Sequence, residues 1–435
     1  MREKTVALAT LGCKVNQYES EAIAEALTAR GWEIGSINEP CTAYIINTCT
    51  VTAESDRKAR QTIRRAMSKN PFAFVLITGC YSQVSPDAAA EIAGVDYICG
   101  SSNKLSVVEK LEQLYDRGEK NASPELCIPS LDGAGFESMS IKKFDRTRAY
   151  VKIEDGCESH CTYCTIPAAR GPIRSKPMAD VLDEIRELVR GGCREVVLTG
   201  IETGSYGVDL GDGETLADLL MEVDRIEGIG RVRLGSLDPS MIKPAFVEKI
   251  KSLRSLAPHF HLSMQSGSSN VLAKMKRKYN SEQAMRAVRL LRDAFPTLQL
   301  TTDIIVGFPG ETEEDFEQSC RLVEDARFLM VHVFPYSKRR GTVAAGMRDQ
   351  LEKSVKHERV QALSQKAEQI RREILDSLMG QTVSVLFESH SGGFAFGHTP
   401  EFVEVKVKSE CTLHAKTHSV RLISHDGAVC LGEII

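Results

Sequence analysis

The sequence predicts an α/β protein in three parts: an N-terminal parallel α/β sheet domain, a central partial (β/α)6 barrel and a C-terminal small all-β barrel. Three observations carry this reading. Apolar runs of five to eight residues alternate with amphipathic stretches through the first two parts, the pattern of parallel sheets flanked by helices. An aperiodic stretch holding Pro, Gly and Ser separates the two series. From about Gln381 the pattern changes to short alternating runs, "TVSVLFES", "FVEVKVKS" and "SVRLIS", which suit a barrel of some five strands. The expected boundaries are 1–115, a linker at 116–142, then 143–372 and 373–435.

In the first part, "TVALATLG" precedes the helical "YESEAIAEALTARG", "AYIINT" precedes "ESDRKARQTIRRAMSK", and "FAFVLITG" precedes "SPDAAAEIAG". In the second, "AYVKIED", "EVVLTG", "RVRLGSL", "HFHLSM", "LQLTTDIIVGF" and "LMVHVFPYS" are strands separated by helices such as "MADVLDEIRELVRG". Function is expected in the loops at the carboxyl ends of these strands. A long charged helix, "DQLEKSVKHERVQALSQKAEQIRREILDSLMG", closes this part.

A chain of 435 residues exceeds one ordinary core. Its 42% hydrophobic and 26% charged residues are those of a soluble globular protein, and a net charge of -4 offers no global field for nucleic acid. Any such binding must come from local patches. No stretch approaches the roughly 18 apolar residues of a membrane span, and the N-terminal run is too short for a signal peptide. A cytoplasmic protein without a membrane partner is expected. In that reducing setting, clustered thiols among the 13 cysteines point to metal.

Two sets of cysteines stand out. Cys13, Cys49 and Cys80 each sit just past a strand of the first part, where open α/β sheets bind ligands, so they can converge in space. Cys41 and Cys99 do not share that register. Cys157, Cys161 and Cys164 follow the first barrel strand as C-x3-C-x2-C in "EDGCESHCTYCTIP". A loop this tight can wrap an iron–sulfur cubane with one thiolate per iron, leaving one iron open. Zinc is the alternative; it wants a closed tetrahedron, and His160 is too near Cys161 in sequence to complete one easily.

C-x3-C-x2-C with Tyr163 before the last cysteine resembles the signature of radical S-adenosylmethionine (SAM) enzymes. "CTYCTIPAARGPIRSKP", "HLSMQSGS", "VLAKMKRKYN", "TTDIIVGFPGETEEDF" and "FPYSKRRGT" resemble the methylthiotransferases of that superfamily, as do "LGCKVNQYES", "NTCTVT" and "TGCYSQ". The C-terminal module resembles a TRAM domain. The resemblance implies a radical SAM core whose [4Fe-4S] cluster is held by Cys157, Cys161 and Cys164, with SAM on the open iron. It implies a second [4Fe-4S] cluster on Cys13, Cys49 and Cys80, carrying the sulfur to be inserted. One SAM then donates methyl, and a second is cleaved to a radical that takes hydrogen from the target carbon. Gly200 and Glu202 are expected at the methionyl amino group, Ser236 and Gln265 on the same face, and Asp303 and Gly307 near the adenine. Catalysis itself is assigned to the cofactors.

"NTCTVTAESDRKARQTIRR" and "LTGIETGSYG" look most like the branch that methylthiolates C2 of N6-threonylcarbamoyladenosine 37 in tRNA. The alternatives are N6-isopentenyladenosine 37 and a ribosomal-protein aspartate. Partners so implied are a tRNA anticodon stem-loop, a reducing electron donor and a sulfur source. Arg57, Lys58, Arg60, Arg64 and Arg65, with Lys338, Arg339 and Arg340, are the basic runs expected to grip the RNA backbone. Residues 381–435 oppose four basic residues to six acidic ones, so RNA binding there would need their five histidines or Phe394 and Phe396. A non-catalytic RNA-binding or iron–sulfur sensor protein is the reading from another class.

Overall fold

The computed structural model describes residues 3–144 and 147–435. The N-terminal part is one parallel sheet built from β1 (Thr5–Thr10), β2 (Glu33–Gly35), β3 (Ala43–Thr48), β4 (Phe74–Gly79), β5 (Tyr97–Cys99) and β6 (Glu125–Cys127), in the order β2-β1-β3-β4-β5-β6. β3 and β4 are buried along their whole length, because helices cover both faces. Ile23 and Leu27 of the helix Lys14–Thr28 pack on one face; Ala59, Ile63 and Ala66 of the helix Ala53–Lys69 pack on the other. The latter helix begins where the Thr52 hydroxyl accepts the Ser55 amide at 3.1 Å.

Two local readings change. Where one helix was expected after β4, the chain forms two short ones, Cys80–Val84 and Pro86–Ala90, so Cys80 opens a helix rather than a loop. The segment 116–142, expected as linker, supplies β6, too short to show alternation. Its remainder is fastened: the Tyr18 hydroxyl donates to Met139 O at 2.7 Å, and the Glu25 carboxylate accepts the Lys142 amide at 2.9 Å.

The central part is an arc of parallel strands: β7 (Arg148–Lys152), β10 (Glu195–Thr199), β11 (Arg231–Leu234), β12 (Ser236–Leu237), β13 (His259–Gln265), β14 (Gln299–Val306) and β15 (Met330–Pro335). β11 and β12 are one strand interrupted at Gly235, so six strand positions form the arc, as expected. The short β8 (Glu154–Asp155) and β9 (Arg174–Ser175) pair antiparallel beyond β7 and clamp the ends of the cysteine loop. The long helix Lys353–Leu378 packs Leu363, Ala367, Ile370 and Ile374 into the common core.

β16 (Thr382–Ser391), β17 (Phe394–His398), β18 (Glu404–Lys408), β19 (Thr417–His425) and β20 (Cys430–Ile434) close into a barrel in the order β16-β17-β18-β20-β19. Its β17–β18 loop stops the amino-terminal mouth of the arc. Phe402, at φ 72°, stacks on His259 and His398 with ring centroids 4.6 and 4.7 Å away, beneath the Arg233 guanidinium at 4.9 Å. Arg233 also donates to Pro400 O at 3.0 Å. His398 is thus held by Phe402 and by Glu388 at 2.8 Å, and His414 by Glu388 O at 2.9 Å. Two of the histidines considered for RNA fasten the barrel instead. Phe402→Ala removes the stopper, with an expected loss of about 2–4 kcal/mol; denaturant unfolding checks this.

Candidate active site

The carboxyl ends of the arc converge on a cavity of about 450 Å3. Its wall holds Cys157, Cys161 and Cys164 after β7, Gly200 and Glu202 after β10, Ser236, Gln265 and Asp303, and also Cys13 from the N-terminal sheet. Nine of the twelve residues expected at the site therefore share one cavity. The size suits a small-molecule site, for which about 300–1,000 Å3 is usual.

The cysteine loop is shaped locally. Gly156, at φ 89°, precedes Cys157, and a Cβ there would lie 1.9 Å from Pro172 O, so only glycine lets the two ends of the loop meet. Asp155 accepts the Gly156 amide at 2.9 Å, and the Cys157 amide donates to Gly171 O at 3.0 Å. Each thiol receives one donor: the Ser159 amide to Cys157 and the Ile166 amide to Cys164, both at 3.4 Å, and Arg277 Nη1 to Cys161 at 3.2 Å. Arg277 is fixed in turn by Asp238 at 2.6 Å. Burial pushes the Cys164 thiol up to about 12. A metal centre reverses that preference by binding the thiolate. His160 is exposed. Among the described residues no three Cys, His, Asp or Glu side chains close on one point as a single zinc ion requires.

The other three cysteines lie together, Cys13 in this wall and Cys49 and Cys80 behind it. At Gly12, φ 101°, a Cβ would be 2.8 Å from the Cys49 sulfur, so the loops after β1 and β3 nearly touch. The Cys13, Cys49 and Cys80 thiols are near enough for their charges to interact. Cys13 opens to the cavity, whereas Cys49 and Cys80 are buried and do not line it. Burial pushes the Cys49 thiol up to about 11.

Cys80 Sγ accepts a hydrogen bond from Arg170 Nε at 3.2 Å. Arg170, on the helix Ile166–Arg170 that follows Cys164, ties the two cysteine sets together through a buried charge cluster. Its Nη1 donates to Glu19 at 2.6 Å and to Asp155 at 3.1 Å. Lys152 pairs with the same two carboxylates at 2.8 and 2.7 Å, Lys104 pairs with Glu19, and Arg174 lies 3.4 Å from Asp155. Four buried cations thus face two carboxylates. A surplus of buried positive charge beside Cys80 fits an anionic thiolate-bound group.

Glu202 is half-buried, and the loss of solvent around its carboxyl, with the Asp238 charge second, pushes it up to about 7. Among the described residues its Oε1 has no hydrogen-bond partner, and the same holds for the buried Thr165 hydroxyl on the cavity wall. Glu154 lies behind: its Oε2 accepts the Glu202 amide at 2.8 Å, and burial holds its carboxyl well above the usual range. Orphaned polar atoms facing the same space as three thiols fit a polar cofactor bound beside a cluster. A register shift between Leu262 and Gln265 in β13, with Gln265 at φ 61°, turns Gln265 to the cavity.

Not every expectation is met. Gly307 does not line the cavity; a Cβ there would strike the Lys356 side chain at 2.4 Å, and its amide donates to Glu311. Its turn packs β14 against the long helix. Asp303 lines the cavity but lies 3.2 Å from His261 Nε2. Arg339, counted among RNA-gripping cations, is buried and bonded to Asp56 at 2.8 Å and Thr50 at 2.7 Å, fastening the loop after β15 to the N-terminal domain. Lys338 and Arg340 beside it are exposed, as are Arg57, Lys58, Arg64 and Arg65. Arg277 and Arg170 were not anticipated: an arginine in "KRK" or in "AARG" carries no local mark of the partners the fold brings to it.

A six-position parallel arc whose first strand runs into a C-x3-C-x2-C loop defines a radical SAM core, and residues 151–323 match the model of the radical SAM superfamily. Residues 5–100 match the uncharacterized protein family UPF0004. The chain is 38% identical over 427 residues to the threonylcarbamoyladenosine tRNA methylthiotransferase MtaB of Bacillus subtilis, covering 96% of this chain and 94% of that one. The MtaB of Thermotoga maritima is 37% identical, with 99% and 98% covered. The tRNA-2-methylthio-N(6)-dimethylallyladenosine synthase of Acetivibrio thermocellus is 35% identical, with 97% and 89% covered. In fold, the chain matches the radical SAM methyltransferase TsrM of Kitasatospora setae at a TM-score of 0.59 and 17% identity, over 79% of this chain and 77% of that one. The chain belongs to the radical SAM tRNA methylthiotransferase family. Its cofactor chemistry is that of a [4Fe-4S] cluster with SAM. Among the described residues no helix is long and apolar enough to cross a membrane.

Proposed function

We propose that this enzyme methylthiolates C2 of N6-threonylcarbamoyladenosine 37 in tRNA, working in the cytoplasm with two [4Fe-4S] clusters. The observation that carries the reading is that Cys13 faces the same cavity as Cys157, Cys161 and Cys164. When bound, the clusters and SAM supply a radical at one triad and methylated sulfur at the other. The chain's own residues do the rest. Cys157, Cys161 and Cys164 would hold the radical SAM cluster and Cys13, Cys49 and Cys80 the second. Arg277 and Arg170 hydrogen-bond one sulfur of each triad, which steadies thiolate charge. Glu202, with Gly200, would take the methionyl ammonium, and Ser236, Gln265 and Asp303 the remainder of SAM. Both named branches of tRNA enzyme resemble this chain, and the MtaB likeness favours the threonylcarbamoylated base. A splayed anticodon-loop base could enter at small cost, with the exposed arginines after Cys49 on the RNA backbone. An electron donor and a sulfur source complete the partners.

The Glu202 assignment has a pH consequence. Its carboxyl must ionise to receive the ammonium, so below about 7 SAM affinity should fall, by roughly tenfold per pH unit in the limit. Glu202→Gln should weaken binding at pH 8 and flatten this dependence. Equilibrium binding of SAM to the reconstituted protein across pH 6–8 measures both.

The turnover test uses anaerobically reconstituted enzyme and a stem-loop RNA carrying the threonylcarbamoylated base. 2-Methylthio-N6-threonylcarbamoyladenosine should appear in nucleoside digests. Conversion of an N6-isopentenyladenosine RNA alone would reassign the branch.

A further inference from the structure

Phe334 stands on the wall of the cavity and is 47% exposed. The strand β15 places it there. Side chains alternate across a strand: Val331 and Val333 pack against the common core, so His332 and Phe334 face the other way. Their rings lie 6.4 Å apart, and the His332 ring lies 6.2 Å from that of His261 on β13. Phe334 thus points into the arc at its carboxyl end, on the wall it shares with Cys13 and the Cys157 triad. A single exposed apolar side chain on a convex surface is ordinary. An open aromatic ring inside a concave site is a ready contact for a ligand.

The surroundings say what kind of ligand. Phe334 lies four residues before Lys338 and six before Arg340, both exposed. Val51, on the same wall and 50% exposed, lies six and seven residues before the exposed Arg57 and Lys58. The two segments are joined: the Ala53 amide donates to Ser337 Oγ at 3.4 Å, and Arg339 donates to Thr50 at 2.7 Å and Asp56 at 2.8 Å. Apolar contacts on the wall, with exposed cations just beyond it on both segments, match a nucleotide. Its base offers a flat face for stacking, and its phosphates are anionic.

We infer that the adenine ring of the target nucleotide stacks on Phe334, which holds it in the cavity that Cys13 shares with the Cys157 triad. This placement rests on the reading above that a tRNA adenosine is the substrate, and not on which group its N6 carries. Stacking occupies the face of the base and leaves its edge, where C2 and N6 lie, open to the chemistry. Every base has such a face, so the ring secures the base and does not choose between branches. In the same reading the adenine of SAM shares this cavity, so both ligands are measured.

The test compares reconstituted wild-type enzyme with Phe334→Ala, Phe334→Leu and Phe334→Tyr by fluorescence anisotropy. Of two stem-loop RNAs, one carries N6-threonylcarbamoyladenosine at position 37 and the other is abasic there. The ratio of their affinities separates the base from the backbone contacts. Wild type should bind the base-containing RNA on the order of 10–100-fold more tightly. Phe334→Ala should bring that ratio to within about threefold of one. Phe334→Leu should recover little and Phe334→Tyr most of it, with iron content and SAM affinity at wild-type values. An unchanged ratio in Phe334→Ala overturns the inference, and so does full recovery by Phe334→Leu, which needs no aromatic face. A loss of SAM affinity in Phe334→Ala also overturns it and assigns the ring to the cofactor. Wild-type turnover is scored separately on this RNA and on an N6-isopentenyladenosine stem-loop. If only the latter reacts, the threonylcarbamoyl reading fails and the ratio is taken with that RNA, where an unchanged ratio in Phe334→Ala defeats the inference alone. If neither reacts, the tRNA-base reading fails and the inference with it.

Discussion

Alanine at Cys157, Cys161 or Cys164 is expected to abolish 5′-deoxyadenosine formation, a fall of at least about a thousandfold, because a thiolate ligand has no substitute among the neighbouring side chains. Iron should drop from roughly eight to roughly four atoms per chain, the content of one remaining cubane. Alanine at Cys13, Cys49 or Cys80 should lower iron equally, yet leave 5′-deoxyadenosine formation in place and remove only the methylthio product. The asymmetry follows from position. The first triad shares its cavity wall with Glu202, Ser236 and Gln265, whereas only Cys13 of the second reaches that cavity. Iron analysis and product chromatography on the same samples check both halves. Equal loss of 5′-deoxyadenosine in both sets would merge the two centres into one.

The second large effect falls on a residue that binds no metal. Arg170→Met should destabilise the protein by about 3–5 kcal/mol, the usual cost of breaking a buried ionic network from one side. The guanidinium is wholly buried and bridges Glu19 of the N-terminal domain, Asp155 of the core and the Cys80 sulfur. Methionine fills much of the volume but satisfies none of these acceptors. Arg170→Lys should recover part of the loss, since one ammonium can meet a carboxylate but not all three partners. Denaturant unfolding of the cluster-free proteins gives the difference. A change below about 1 kcal/mol would mean that Lys104, Lys152 and Arg174 hold the carboxylates without it.

What was legible in the sequence was what repeats or lies close in the chain. The Cys157 triad spans eight residues and declares itself by spacing. The Cys13 triad is scattered, but strand period puts its members at equivalent strand ends, and β1, β3 and β4 are adjacent in the sheet. The barrel count followed from alternation of strand and helix. Long-range ionic pairing has no such period. Arg170 meets residues 151 and 15 positions away, and Arg339 meets Asp56 across 283. A buried arginine in "KRR" reads like its solvated neighbours until the fold brings a carboxylate to it. Gly307 shows the converse, a motif glycine whose turn serves helix packing rather than a ligand.

Nucleoside mass spectrometry of tRNA from cells lacking this gene tests the functional account most directly. 2-Methylthio-N6-threonylcarbamoyladenosine should vanish and N6-threonylcarbamoyladenosine accumulate, with restoration by the wild-type gene but not by its Cys13→Ala or Cys157→Ala forms. Persistence of the methylthiolated nucleoside at its normal level in those cells would contradict it.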